Sequence, residues 1–166
     1  WAYYLNLDET AAEASYGPIW NSTAPTSSVI SLGTEAGLNG SGAAQVMYAF
    51  HSVEGFSKFG SVEGNALADG SFIYLGFKPA WVMFKQIDTT GDWNITDSTR
   101  YPYNPAKFGP WANLPNAETG GNVVDLTAIG VKFRASGAPN SANTIVYAAF
   151  AENPFGGSGV AQAKAR

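Results

Sequence analysis

Apolar positions along this chain come in short runs, and the densest of them set out a strand pattern. Phe72 to Phe77 and Ala80 to Ile87 are rich in aromatic and β-branched residues, are too short for self-supporting helices, and are parted by Lys78 and Pro79. Both predict strands. In the second, Trp81, Met83 and Lys85 point to one side while Val82, Phe84 and Gln86 point to the other, which predicts a strand covered on both faces at the centre of a core. Asp88 to Gly91 supplies turn residues; beyond it Trp93 and Ile95 alternate with Asn94 and Thr96, which predicts a hairpin with a solvated outer face. Earlier in the chain, Tyr3 to Leu7 predicts a short strand and Asp8 to Ala14 a single helical turn at most. Gly17 to Thr26 is a loop punctuated by Pro18 and Pro25, from which Trp20 turns back into the core. Val29 to Gly33 alternates with Ile30 and Leu32 on one face, Leu38 to Gly42 is turn chemistry, and Gln45 to Phe50 is the next strand.

The pattern repeats. Val46 and Ala49-Phe50 recur as Val146 and Ala149-Phe150, an offset of 100; Ile30, Leu32 and Asn39 match Val131, Phe133 and Asn140 at 101. Leu5, Glu9 and Thr10 match Leu114, Glu118 and Thr119 at 109, so the first copy carries eight extra residues in the loop of Trp20. Their common order predicts duplication of a unit of about a hundred residues. The expected architecture is all-β, an antiparallel β-sandwich with an internal repeat. Residues 1–60 are the closing half of a first unit and 61–166 a complete second unit, packed together as one globular body.

Composition sharpens this picture. Of 166 residues only 13 % are charged, against roughly 25 % in an average soluble domain. The 19 glycines and 14 % aromatics suit many short strands, tight turns and a polar but uncharged surface of Ser, Thr, Asn and Gly. A net charge of −4, with nine Lys and Arg scattered singly, argues against nucleic acid, which requires a basic patch. With no cysteine, disulfides and thiol nucleophiles are excluded. No apolar run reaches the length of a membrane-spanning helix and no signal pattern opens the chain. Trp1 is not an initiator methionine, so the expectation is that the numbering starts inside a longer polypeptide.

Four segments carry a resemblance: Asn21 to Val29, Glu54 to Gly60, Gly76 to Met83, and Ala149 to Ser158. Together they resemble an uncharacterised repeat domain found at the C-terminal end of tail-fibre and other structural proteins of tailed bacteriophages, often downstream of a concanavalin A-like lectin/glucanase domain. Ala161 to Arg166 looks like the natural end of such proteins. Lys78 stands where many relatives have Arg, which removes any bidentate contact there. The resemblance implies a virion structural protein on the external surface or tail. It also implies a homo-oligomer that contacts other virion proteins and can touch host-surface glycans, with neither nucleic acid nor membrane insertion. It carries over no catalytic residue and no cofactor. Rival readings are a capsid-decoration or assembly module without ligand and a glycan depolymerase.

Candidate chemistry is sparse. His51 is the single histidine and has no nucleophile motif beside it, so a Ser-His-Asp triad has little support. Asp69, Asp88, Asp92 and Asp97 offer oxygen ligands at spacings that fit no calcium loop, so no metal is expected. The pairs Glu9 with Glu118 and Glu54 with Glu152 have the composition of a glycosidase pair, yet duplication alone explains their match, and no enzyme is expected. Aromatic faces are the better candidates, since they stack on the apolar side of sugar rings. Ligand or interface residues are expected at Trp20, Arg100, Tyr101, Tyr103 and Trp111. Trp81 and Trp93 are assigned to the core, and Arg100 with Asp97 to an ordinary surface pair. Tyr101 to Trp111, with its Pro and Gly, is the expected exposed connection.

Overall fold

A computed structural model describes residues 1–107, 109–118 and 123–155. Phe108 of the aromatic connection, Thr119 of the repeat and the segment Ala161 to Arg166 lie outside the described residues. Two compact units form: one from Trp1–Asn6 with Glu13–Phe50, the other from Leu7–Ala12 with the residues from His51 onward. Packing therefore divides the chain near residue 50, whereas the repeat pattern divided it at 60.

The smaller unit holds two-residue strands β1 (Tyr3–Tyr4) and β2 (Ala14–Ser15), paired antiparallel with Tyr3 opposite Ser15. Ala14 is thus in a strand, and the helical turn expected over Asp8 to Ala14 is absent. A helical turn forms instead at α1 (Gly17–Trp20), where the loop was expected. Pro18 occupies its first turn, where a missing N–H leaves nothing unsatisfied, and Asn21 ends it in a left-handed conformation with φ 50°. A second turn, α2 (Ala36–Asn39), is capped by the Glu35 carboxylate, which accepts the Gly37 N–H at 3.2 Å. Ile19 is buried, and Gly33 donates its N–H to the Ile19 carbonyl at 2.8 Å. A Cβ on Gly33 would lie 1.8 Å from the Pro18 carbonyl oxygen, so this approach of two backbones requires glycine.

Gln45 to Phe50 and Val29 to Gly33, both expected as strands, form none. Val46, Tyr48 and Phe50 are 78 %, 80 % and 66 % exposed. Their counterparts are strands: Val131 and Phe133 lie in one sheet, Val146 and Phe150 in the other. A lone extended segment is marginal in water, whereas residues 144–151 pair with strands on both sides.

In the larger unit the strands are β3 (Ser57–Glu63), β4 (Phe72–Tyr74), β5 (Pro79–Gln86), β6 (Asn94–Asp97), β7 (Ala106–Lys107), β8 (Val123–Thr127), β9 (Gly130–Phe133) and β10 (Thr144–Ala151). They make two antiparallel four-stranded sheets, ordered β3-β10-β5-β6 and β4-β9-β8-β7. Val82, Phe84, Ile145 and Ala149 of the first pack against Ile73, Val124, Val131 and Phe133 of the second. The Phe84 and Phe133 ring centroids are 5.2 Å apart. The protein is therefore an all-β, antiparallel sandwich, as expected.

Strand β5 is an inner strand, with Val82 and Phe84 buried and Trp81 and Met83 half-buried on the opposite face. Trp81 meets Phe150 there, at 5.8 Å between centroids, beside Phe56 and Phe59. The run Phe72 to Phe77 is strand only as far as Tyr74, because the N–H groups of Leu75 and Gly76 both turn to the Ile129 carbonyl. The β5–β6 hairpin forms with Val82 opposite Thr96, but its expected solvated face is reversed: Thr96 is fully buried and Ile95 half-buried. Burial of Thr96 is tolerable because its hydroxyl donates to the Lys107 carbonyl at 3.0 Å.

Two polar side chains hold the connections of this unit. Buried Asn140 joins the β3–β4 loop to the residues after β9, accepting from Asn65 and Ser71 and donating to Asn65, Leu67 and Ala135. Asn39, matched to it by sequence offset, donates to the Gly33 carbonyl at 2.9 Å. Buried Lys85 donates to the carbonyls of Thr10 (3.1 Å) and Gly91 (2.8 Å) beneath the Trp93 ring, fastening Leu7–Ala12 to the sandwich. Burial pushes its ammonium below the ordinary lysine value, against the pull of Asp92.

Candidate functional site

The Tyr101–Trp111 connection proves to be woven into the sandwich. Ala106 and Lys107 form β7, Gly109 donates to the Ile95 carbonyl at 3.0 Å, and the Pro110 carbonyl accepts from Ile95 at 3.2 Å. Trp111 bridges Asn94 through the backbone and donates its indole N–H to Asn94 Oδ1 at 3.1 Å. Tyr101 packs against the core, and Asn104 exchanges two hydrogen bonds of 2.9 Å with the Leu126 backbone. Among the described aromatics of this connection Tyr103 stands out, 85 % exposed.

Arg100 is a clamp rather than an open recognition group. Its Nε contacts Asp97 Oδ2 at 2.8 Å and its Nη1 pairs with Glu118, while Asp97 Oδ1 accepts the N–H groups of Thr99 and Arg100. Several other acidic residues are engaged in the same structural way. Asp88 accepts from Thr144 N at 2.6 Å, Asp92 from the Asn113 amide at 2.9 Å, and Glu152 pairs with Lys78 at 2.6 Å. Asp69 is held below its ordinary value by the hydrogen bond and charge of Lys132, with Arg134 adding to it. Among the described residues no three His, Asp or Glu side chains converge. His51 Nδ1 lies 3.0 Å from the Ser52 carbonyl, with which it forms a local turn contact.

Trp20 is differently placed. Its indole N–H donates to the Tyr3 carbonyl at 3.1 Å, which fixes the ring against β1. It does not plug a core. It borders two concavities of the smaller unit, one of about 230 Å³ with Trp1, Tyr3, Pro25 and Ile30, the other of about 630 Å³ with Tyr4, Tyr16, Leu38 and Glu35. Because β1 is extended, adjacent Tyr3 and Tyr4 face opposite ways and one ring reaches each hollow. Sequence reasoning singled out Trp20 and missed the tyrosines; the Tyr3-Tyr4 doublet in a strand was the signal. No Lys or Arg occurs between residues 1 and 57, so this unit has no cationic side chain to bind an anion.

A further hollow of about 340 Å³ in the larger unit is polar, with Ser52, Glu54 and Lys58 around it, and Lys58 is tied to the Tyr74 carbonyl at 2.8 Å. Neither kind of hollow holds the nucleophile, base and oxyanion donors of a hydrolytic site in mutual contact. The hollows beside Trp20 offer stacking and hydrogen bonding.

The chain belongs to the DUF7483 family. That family model, a domain of unknown function, matches residues 1–154 and so includes both compact units. No curated protein and no solved structure matches the chain.

Proposed function

We propose that this DUF7483 chain is a non-catalytic structural module on the exterior of a bacteriophage particle, in a tail fibre or another appendage, that contacts host-surface glycans. The observation that carries the reading is the smaller unit's aromatic surface: Trp1 and Tyr3 exposed beside a hydrogen-bonded Trp20, in a segment without Lys or Arg. Such a surface suits neutral, ring-shaped, hydroxyl-rich partners. A charge-poor β-sandwich is a durable support for it, and the resemblance to phage appendage proteins supplies the setting. The test is to purify the particles that encode the chain, identify it among their proteins by mass spectrometry, and place it with antibody labelling under the electron microscope. Label on tail appendages is the expected result; a chain absent from the particles would overturn the reading.

A second reading, an assembly module that pairs with copies of itself, is favoured by residues 44–50. Val46, Tyr48 and Phe50 are too apolar and too exposed to face water without cost, and a second copy is the simplest cover. Label on the capsid shell, together with an oligomer in solution, would favour it.

A further inference from the structure

The two hollows beside Trp20 share one wall, and this arrangement does more than a single pocket could. The smaller hollow, at about 230 Å³, lies below the range of roughly 300–1,000 Å³ that holds drug-sized ligands, and so takes one ring; the larger, at about 630 Å³, takes more. Thr23 and Ser31 border the first and Asn6 and Glu35 the second, which puts hydroxyl, amide and carboxylate groups next to aromatic faces. Glu35 uses Oε1 to cap Gly37 and has its second oxygen to accept from a ligand hydroxyl.

We propose that the paired hollows are adjacent subsites for a linear, uncharged oligosaccharide, whose successive rings stack on Trp20 and on the Trp1, Tyr3 and Tyr4 rings beside it. This rests on the glycan-contact reading above and assigns it a site and a ligand class. Charge decides the class. Glu35 is the acidic group at the hollows and no Lys or Arg occurs in the first 57 positions, so uronate, sialylated or phosphorylated polymers would be repelled. Aromatic grooves that read proline-rich peptides hydrogen-bond their carbonyls through donors such as an indole N–H, and the Trp20 N–H is already engaged with Tyr3.

The experiment titrates the full chain with linear hexasaccharides of glucose, mannose and N-acetylglucosamine, and with oligogalacturonate as the anionic counterpart, reading tryptophan fluorescence and heat. Tyr3→Ser and Trp1→Ala remove exposed rings (63 % and 70 % exposed) and leave the Tyr3 carbonyl that anchors Trp20. Trp20→Phe keeps a ring but removes its N–H, and melting curves establish that each variant is folded. At least one neutral hexasaccharide is expected to bind, tenfold or more weakly to Tyr3→Ser, with Tyr103→Ser unchanged and oligogalacturonate inert. The inference is overturned if none of the neutral sugars binds, if oligogalacturonate binds as well, or if binding is indifferent to Tyr3 and Trp1. Sugar binding that survives those substitutions would refute this site and leave glycan contact standing, while particle labelling tests the structural role separately.

Discussion

Replacing Asn140 by alanine tests the account of the larger unit most directly. The side chain is fully buried. Its Oδ1 accepts the N–H groups of Asn65 at 3.4 Å and Ser71 at 3.2 Å, and its Nδ2 lies 3.0, 2.9 and 2.8 Å from Asn65 Oδ1, Leu67 O and Ala135 O. An amide has two N–H bonds to share among those three acceptors, so about four hydrogen bonds are at stake. At about 1 kcal/mol each the ceiling is about 4 kcal/mol. Asn65 and Leu67 are exposed, and water can take over part of their bonding, which lowers the expected loss to about 2–4 kcal/mol. In a protein of this size that corresponds to a fall in Tm on the order of 10 °C. Denaturant unfolding measures the loss, and hydrogen exchange at the Ser71 amide localises it. Asn140→Asp keeps Oδ1 but turns a carboxylate oxygen towards three acceptors. That raises its folded pKa, so the variant's penalty is largest at neutral pH and eases as pH falls. An alanine variant within about 0.5 kcal/mol of the parent, or an aspartate variant insensitive to acid, would refute the reasoning.

Phe84→Ala, at a fully buried ring packed against Phe133, should cost about 3–5 kcal/mol, and Trp81→Ala less because its ring is half-covered; equal losses in chemical unfolding would contradict the two-face assignment of β5. Burial lowers the Lys85 value, so between that lowered value and the ordinary 10.5 the unfolded chain binds more protons and stability rises with pH. Tyr147, raised by burial above 10.0, works in the opposite sense in that range, so the comparison must be with Lys85→Met. The parent should gain on that variant as pH climbs from neutral towards 10.5 in parallel urea titrations; a relative loss would show the lysine to be unstrained. Tyr103→Ser should leave stability unchanged while Trp111→Ser lowers it by about 1–3 kcal/mol, through the orphaned Asn94 oxygen and lost packing, and melting curves that rank them the other way would sink that placement. Tyr48→Ser with Phe50→Ser should reduce any self-association seen by light scattering without affecting sugar binding.

The sandwich was legible where both faces of a strand are apolar and the turn residues are unambiguous. Ala80 to Ile87 and the turn at Asp88 to Gly91 fix an inner strand and a hairpin whatever their neighbours do. What could not be read was which side of β6 faces inward, because Thr96 is buried only by virtue of a carbonyl on Lys107, eleven residues away. Gln45 to Phe50 and Thr144 to Ala151 have similar strand propensity, and pairing with β3 and β5 is what makes the second a strand. Candidate surfaces fared likewise. Proline and glycine in Tyr101 to Trp111 correctly mark a departure from regular strand. They are silent on the backbone bonds through Gly109 and Pro110 that hold Trp111 to β6. Trp20 was found for its aromatic ring, but the expectation that it enters a core failed because the unit around it is too small to provide one.

That last point explains why the exposed aromatics gather where they do. A small unit cannot bury the fraction of apolar surface that a larger one can. In the larger unit Val82, Phe84, Phe133 and Ile145 vanish into the interior; in the smaller, Ile19 is buried while Trp1, Tyr3, Tyr16 and Leu38 remain at the surface. Backbone bonds do the work of packing there: the β1–β2 pair, Gly33 on Ile19, and the Trp20 indole on Tyr3. The Trp20 ring is held before any ligand arrives, so its ordering on binding costs little. Residues 44–50 are apolar and exposed too, but they line neither of the Trp20 hollows. A segment of that kind suits contact with another chain that covers its apolar side chains. The hollows suit a rigid ligand with hydroxyls at its rim. Self-association and sugar binding thus fall on different residues of the same unit, and each can be removed without the other.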